Sequence, residues 1–378
     1  VLGGVAGGVL PGRNYRGPRG VLPSEEQREA DRVFCRFLWQ FGLVYAALAF
    51  MVMRTVRLVS LSGQRWFLIG AVAVEIIGAA LMVIPVERTL HALFGEDSIV
   101  TEQAPAKINL ALLVGEKHPD GYHDVTSVMQ SVSLCDTVTA RRTSGGITLT
   151  CSDPTLACDE TNLAYRAAAL FFEETGVEGG AALTLEKVIP MQAGLGGGSS
   201  DAAAVLRALR RLYAPDMPLE ELERMAIRLG SDVPYCVRGA TTLVEGRGEH
   251  LTQLTALPAC WCVLCKPDIA CPTGAMYGEI DRRGAHLTLD VQEMLRALER
   301  GDLAAVCALV GNVFEQVIDP ESDIFTIRRR LTELGADTAC MSGSGSAVFG
   351  LFTKEETARA AQELLSQDYP RTFLAKTV

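Results

Sequence analysis

An α+β fold, preceded by a hairpin of two apolar helices, is what the 378-residue sequence predicts, and three observations predict it. Ile189 to Ala204 sets a glycine-rich loop between an alternating strand and an alanine-rich helix. From Thr101 onward, short runs of strand and helix periodicity are interspersed. Before Thr101 stand two long apolar runs, Phe37 to Met53 and Trp66 to Val86.

The central stretch reads as three pieces in series. Leu183 to Val188 alternates apolar and polar residues, as a half-buried strand does. Gly194 to Gly198 then supplies four glycines in five positions, where left-handed backbone and close approach carry no Cβ penalty. Ser199, Ser200 and Asp201 are good N-cap residues, and Ala202 to Tyr213 is built of helix formers. A glycine loop feeding a helix start leaves several N–H groups aimed at one spot, with the positive end of the helix dipole behind them. That is a phosphate site. The rival reading is a flexible linker, but a linker is rarely hemmed in by an apolar strand and an alanine-rich helix. The P-loop pattern G-x-x-x-x-G-K-[ST] is absent because no Gly-Lys pair occurs, so a phosphate-facing lysine must come from elsewhere in the fold.

Composition narrows the partners. Hydrophobic residues make up 48% of the chain, enough for a sizeable core. A net charge of −10 excludes a basic nucleic-acid-binding stripe and favours a small-molecule ligand held by local groups. Eleven cysteines without a small-domain framework fit a reducing compartment.

In chain order, residues 1–36 begin as a Gly-, Pro- and Arg-rich flexible segment, with a short polar helix over Ser24 to Arg36. The two apolar runs reach the length of membrane spans, and Trp66 starts the second where an interface anchor belongs. Residues 37–100 are therefore expected to hold a two-span transmembrane hairpin, the alternative being a buried helical hairpin. Glu75 lies at mid-span, where it needs a partner or water. Arg54, Arg57 and Arg65 in the connecting loop argue for a cytoplasmic loop, whereas Arg28, Arg32 and Arg36 argue for cytoplasmic ends. A domain after the second span that takes a cytoplasmic phosphate compound in its glycine loop decides for cytoplasmic ends, and so for a cytoplasmic domain tethered to the inner face of the cell membrane. An upstream reading frame joined to the rest is a further alternative.

Beyond Thr101, Ala104 to Gly115 is a strand carrying Lys107 and Asn109, and Pro119 to His123 is a turn ending in two ring side chains. Strands are expected over Val125–Leu134, Asp136–Arg141, Ile147–Cys151, Thr241–Val244, Cys260–Cys265 and Ala347–Phe352. Helices are expected over Leu163–Thr175 with Asn162 as cap, Leu219–Leu229, Val291–Glu299, Leu303–Val310, Ser322–Leu334 and Lys354–Gln367. Pro234 disfavours helix at Val233. Cys260, Cys262, Cys265 and Cys271 do not make a usual metal frame, and alternation puts Cys260 and Cys262 on one strand face and Cys265 on the other. They read as buried structural thiols.

Three blocks now stand together: Pro105-Ala-Lys-Ile-Asn-Leu110, Pro190 to Ala204, and Met341-Ser-Gly-Ser-Gly-Ser346. With Asp120-Gly-Tyr-His123 and Gly230-Ser-Asp-Val-Pro234, the combination resembles the GHMP kinase superfamily over about three quarters of the chain. The resemblance implies a ribosomal-protein-S5-like ATP-binding subdomain over 101–258 and a ferredoxin-like subdomain over 259–378, with the active site between them. It implies ATP-dependent phosphorylation of a hydroxyl on a cytidine-diphosphate-linked sugar alcohol, with magnesium accompanying ATP. Lys107 and Asp232 fall at the catalytic pair. Pro190, Met191, Gln192, Ala193, Gly194, Leu195, Gly196, Gly197, Gly198, Ser199 and Ser200 fall at the ATP loop, and Ser200 is the side chain expected on the metal. Tyr122, His123 and Tyr277 fall at the cytosine site, and Asn109 and Thr273 near the substrate phosphates. The Gly343-Ser344-Gly345 turn closes the site near the substrate. Arg210 stands where the superfamily usually shows asparagine, a change expected to tune helix packing only.

The chemistry follows from the residue types as well. Phosphoryl transfer needs positioning and charge stabilisation more than covalent help. An aspartate beside the attacking hydroxyl can orient it and take its proton, and a neighbouring lysine keeps that aspartate ionised and neutralises the transferring group. Two other functions remain open at this point. One is a homoserine- or mevalonate-kinase-like enzyme, which would lack the Tyr-His pair. The other is a membrane-anchored nucleotide sensor without turnover, which would be indifferent to changes at Lys107 or Asp232.

Overall fold

The computed structural model describes residues 99–378. The expectations over 1–36, a flexible segment, and over 37–100, an apolar hairpin, lie outside them, apart from the last two residues of the second span. Among the described residues no helix is long and apolar enough to cross a membrane. What is described is an α+β fold.

Strands β1 (Ile99–Lys117) and β2 (His123–Thr143) form a long antiparallel hairpin. The sequence predicts two strands, Val125–Leu134 and Asp136–Arg141, where β2 runs through as one. Asp136 is fully buried in it, and its carboxylate accepts from the main-chain N–H groups of Val188 and Ile189. A buried polar group is tolerated when its hydrogen bonds are met. The chain continues through β3 (Gly146–Cys151), helix α1 (Leu163–Thr175) and β4 (Gly180–Glu186). Asn162 caps α1 as expected, its side chain accepting from Ala164 N.

Helix α2 (Gly197–Tyr213) begins inside the glycine run, five residues before the expected start. Gly196, not a serine, is its N-cap, in a left-handed conformation with φ 72°. Helix α3 (Leu219–Ala226) is followed by the short α4 (Val233–Arg238), which Pro234 does not prevent because it sits in the first turn, where no N–H is missed. Strands β5 (Thr241–Gly246) and β6 (His250–Gln253) close this half.

The second half runs β7 (Trp261–Cys265), α5 (Thr273–Arg283), α6 (Val291–Glu299), α7 (Leu303–Ala308) and β8 (Gly311–Asn312). A 3₁₀ turn at Val313–Val317 leads to α8 (Asp323–Glu333), β9 (Thr338–Met341), β10 (Val348–Phe352), α9 (Glu355–Ser366) and β11 (Thr372–Lys376).

Two sheets result. The first orders β3-β4-β2-β1-β8, with β2 long enough to pair β4 at one end and β5 at the other. The second is antiparallel in the order β11-β7-β10-β9, the strand order of a ferredoxin-like sheet. Helices α1 and α2 cover the first sheet, burying Phe171, Leu183, Leu185, Leu206 and Leu209 together. Helices α8 and α9 cover one face of the second around Ile327, Leu331 and Leu365, and its other face packs Leu264 and Phe349 with Ile108 and Leu110 of β1. Cys262 lies in that inter-sheet core and Cys265 on the opposite face, as alternation requires. All the cysteines among the described residues are free thiols, and no group of three or more metal-ligating side chains forms among those residues.

Candidate functional site

A cleft of about 1230 Å³ runs from the glycine-rich loop to the β1–β2 turn. Its floor is set by β1. Lys107 and Asn109, two residues apart, point to one face, and register shifts flank them at Pro105/Lys107 and Asn109/Ala111. Such bulges re-aim side chains. Lys107 is 3% exposed, with Nζ donating to Asn109 Oδ1 at 2.8 Å and lying 3.7 Å from Asp232 Oδ2. Asp232 stands at the N-cap of α4, half-open to the cleft. The structure thus brings this expected pair together from opposite ends of the first half.

Asn109 lines the cleft with its amide engaged by protein partners. Its Oδ1 accepts from Lys107 Nζ and from Gly343 N at 2.9 Å, and its Nδ2 donates to Ser127 Oγ. It therefore aims Lys107 and docks the Gly343 turn, and one of the two Nδ2 hydrogens has no protein acceptor among the described residues. Thr273 lines the cleft and shares a 2.9 Å hydrogen bond with Ser344.

The glycine loop is clamped against the second glycine turn. A Cβ on Gly194 would sit 2.0 Å from the Ser342 carbonyl oxygen, and the residue holds φ +74°. Only glycine accepts both demands. Ser342 Oγ donates to Gly194 O at 2.9 Å, and Ala347 N donates to Ala193 O. At the other side, a Cβ on Gly196 would meet the Lys107 stem at 3.0 Å. Residues 190–199 all line the cleft, and the first-turn N–H groups of α2 have no intrahelical acceptor there.

Ser200, expected on the metal, is placed otherwise. It is fully buried and absent from the cleft wall, its hydroxyl donating to Pro105 O at 2.7 Å. Asp201 lines the cleft instead, 4% exposed, with Oδ1 buried and unpartnered among the described residues. Its Oδ2 accepts from Lys187 Nζ at 2.5 Å, and Lys187 also pairs with Asp136. Burial works against the Lys187 charge, yet the Asp201 and Asp136 carboxylates together hold its pKa above the ordinary lysine value. Burial pushes the Asp201 carboxyl up, to about 7, against the pull of Lys187. This trio ties the strand before the loop to the helix after it. The sequence reading missed it because its members stand 51 and 14 residues apart.

At the far end, His123 is nearly buried and stacks on Tyr277 at 5.1 Å between centroids, 22° from parallel. Tyr277 meets Phe314 edge-on, and burial pushes its hydroxyl up to about 12. Tyr122 is 58% exposed with the Arg247 guanidinium 4.9 Å over its ring, and Arg247 pairs with Asp120. Asp281 receives His123 Nε2 at 2.7 Å and Lys117 Nζ at 2.6 Å. Arg247 and Asp281 escaped the sequence reading. Asp281 lies one helical turn after Tyr277 on α5, and that helix was not among the expected elements.

Comparison with known proteins fits this geometry. Residues 162–240 match the model of the GHMP kinases N terminal domain, and 294–371 that of the GHMP kinases C terminal domain. The 4-diphosphocytidyl-2-C-methyl-D-erythritol kinase of Exiguobacterium sibiricum is 44% identical over 259 residues, 68% of this chain and 90% of the relative. The enzyme of the same name from Macrococcus caseolyticus is 39% identical over 269 residues, 71% of this chain and 95% of the relative. A crystal structure of 4-(cytidine 5'-diphospho)-2C-methyl-D-erythritol kinase is 37% identical with a TM-score of 0.63, covering 74% of this chain and 99% of that one. Homoserine kinase from Cytophaga hutchinsonii shares the fold at 18% identity and a TM-score of 0.59, over 74% of this chain and 94% of that one. The chain belongs to the 4-diphosphocytidyl-2-C-methyl-D-erythritol kinase family of the GHMP kinases.

Proposed function

We propose that this cleft transfers the γ-phosphoryl group of ATP to the 2-hydroxyl of 4-diphosphocytidyl-2-C-methyl-D-erythritol in the non-mevalonate isoprenoid pathway, with Lys107 and Asp232 as the catalytic pair. The observation that carries this is the 3.7 Å approach of Lys107 to Asp232 in the cleft that joins the glycine loop to the Tyr122–His123–Tyr277 end. Asp232 orients the acceptor hydroxyl and takes its proton. Lys107, aimed by Asn109, stands 3.7 Å from Asp232 and faces the charge that develops on the transferring group. The loop N–H groups at 194–199 bind the ATP phosphates, and Tyr122, His123 and Tyr277 hold the cytosine, with Thr273 toward the substrate's phosphates.

Magnesium is expected to arrive with ATP. Mg²⁺ takes one or two carboxylates beside substrate phosphates, and Asp201, through its unpartnered Oδ1, and Asp232 are the carboxylates that line the cleft near the loop. When bound, the ion neutralises phosphate charge. Residues 101–258 then form the ATP-binding part and 259–378 the second part, while the runs at 37–53 and 66–86 tether the enzyme to the membrane from its cytoplasmic side. Fractionation of the full chain tests the tether: recovery in the soluble fraction without detergent removes it.

The direct test is phosphorylation of the cytidyl substrate by the full chain. Asp232→Asn is expected to lower kcat about 10²- to 10⁴-fold, and His123→Ala to raise KM with kcat nearly kept. Turnover of homoserine or mevalonate in place of the cytidyl substrate would keep the fold and overturn the substrate. An unchanged kcat in Asp232→Asn would remove the catalytic pair.

A further inference from the structure

The Asp281 carboxylate makes two short contacts at the base end of the cleft: His123 Nε2 at 2.7 Å and Lys117 Nζ at 2.6 Å. An ionised carboxylate can only accept hydrogen bonds, so at 2.7 Å the His123 Nε2 must carry the proton. The Lys117 ammonium and the His123 hydrogen bond hold the Asp281 carboxyl below the usual carboxylate range, which keeps it an acceptor. Lys117 also supplies the counter-charge, so the carboxylate does not need an imidazolium opposite it. In the neutral ring one nitrogen donates and the other accepts. With Nε2 protonated, Nδ1 is left as a lone-pair acceptor. Among the described residues Nδ1 has no protein hydrogen bond and is not sealed off from the cleft that His123 lines. The ring itself cannot swing freely, because Tyr277 is stacked on it.

We infer that Asp281 is a positioning residue that fixes the Nε2–H tautomer of His123 and thereby selects cytosine over uracil. This rests on the reading of His123 as a base-binding residue. An acceptor at Nδ1 welcomes the exocyclic amino group of cytosine, which is a donor, and opposes the carbonyl oxygen that uracil carries at the same ring position. A site built around one hydrogen-bond polarity rejects the analogue of reversed polarity far more strongly than one lacking a methylene. An asparagine at 281 could turn its amide N–H toward Nε2, reverse the tautomer and make Nδ1 a donor.

The test compares kcat/KM for the cytidyl substrate and its uridyl analogue in the full chain, for wild type, Asp281→Asn, Asp281→Glu and His123→Ala. Asp281→Asn is expected to narrow the cytidyl-to-uridyl ratio by about tenfold or more, through KM, with kcat nearly kept. Asp281→Glu should restore most of the ratio. In ¹⁵N-histidine NMR spectra the His123 nitrogens should report Nε2–H in wild type and a shifted tautomer in Asp281→Asn, a signature that loss of packing would not give. An unchanged ratio in Asp281→Asn, alongside a raised KM in His123→Ala, overturns the inference and leaves the base site standing. If His123→Ala leaves KM for the cytidyl substrate unchanged, the base-site reading itself fails.

Discussion

At the glycine-rich end of the cleft the charged groups are sealed in, whereas at the Tyr122 end they stand in solvent. The Lys187 and Asp136 side chains are 6% and 0% exposed, while those of Lys117 and Asp281 are 52% and 33% exposed. Both ends use a charged group shared between two partners, but the energetics differ. A buried pair that loses one member leaves an uncompensated charge in low dielectric, a loss of about 3–5 kcal/mol. An exposed pair contributes roughly 0–1 kcal/mol and is screened by salt. The glycine-rich end is thus coupled to folding stability. The Tyr122 end is built from contacts that can be altered without disturbing the fold.

Replacing Asp136 should break the comparison most visibly. Asp136→Ala leaves the N–H groups of Val188 and Ile189 without their acceptor and Lys187 with Asp201 alone. Chemical denaturation of the full chain should show a loss of about 2–4 kcal/mol, chiefly from the unmet donors. A loss under about 1 kcal/mol, the range of exposed pairs, would show that the two ends do not differ. Gly194→Ala comes next. Its φ of +74° and the 2.0 Å approach to the Ser342 oxygen force the loop and the Gly343 turn apart. Strain of this kind amounts to about 1–3 kcal/mol. Because Gly343 also touches Asn109, kcat should fall with it; steady-state kinetics with wild-type kcat would show that the clamp between the two turns does not position Lys107.

The same contrast explains what the sequence displayed. The glycine-rich loop was legible because its signal is local: four glycines, a strand before and a helix after, all within about twenty residues. Lys107, Asp232, Tyr122 and His123 were legible through short blocks that carry a resemblance. Asp136, Lys187 and Asp201 were not, because a buried ion trio is a three-dimensional fact assembled from β2, the residue after β4 and α2. Helix α2 started early because glycines with φ near +70° cap helices as well as they break them. Helix α5 was missed because Thr273-Gly-Ala-Met-Tyr-Gly278 holds two glycines and a weak apolar stripe, and Asp281 went unseen with it. Asn109 shows the reverse limit: its block was legible, yet the hydrogen bonds that its amide oxygen accepts from Lys107 and Gly343 were not.

Lys117 sharpens the comparison from the exposed side. Lys117→Met removes one of the two contacts to Asp281, and stability should change by less than about 1 kcal/mol. KM for the cytidyl substrate should nevertheless rise several-fold, since His123 then faces a looser carboxylate. Raising ionic strength to roughly 0.5 M should shrink the difference between variant and wild type, because exposed charges are screened within a few ångströms there. A salt-independent difference would mean that Lys117 acts through packing.

The smallest expected effect is also the most local comparison. Cys236 is buried beside Asp232, with its carbonyl held by Arg207 at 2.7 Å, whereas Cys158 is exposed next to Ala157 at the cleft wall. Burial, with the Asp232 charge adding to it, raises the Cys236 thiol well above its ordinary pKa. Only the thiolate reacts with alkylating reagents, so at pH 8 Cys236 is silent for two reasons, access and ionisation. Brief alkylation of the full chain followed by peptide mapping should label Cys158 and leave Cys236 unmodified, with little change in stability. Cys236 should become reactive only as the fold opens, so its labelling rate should rise in Asp136→Ala and stay at the wild-type value in Lys117→Met. Equal labelling of Cys158 and Cys236 in wild type would mean that the glycine-rich end opens as readily as the surface, and the difference between the two ends would then be one of average structure rather than of stability.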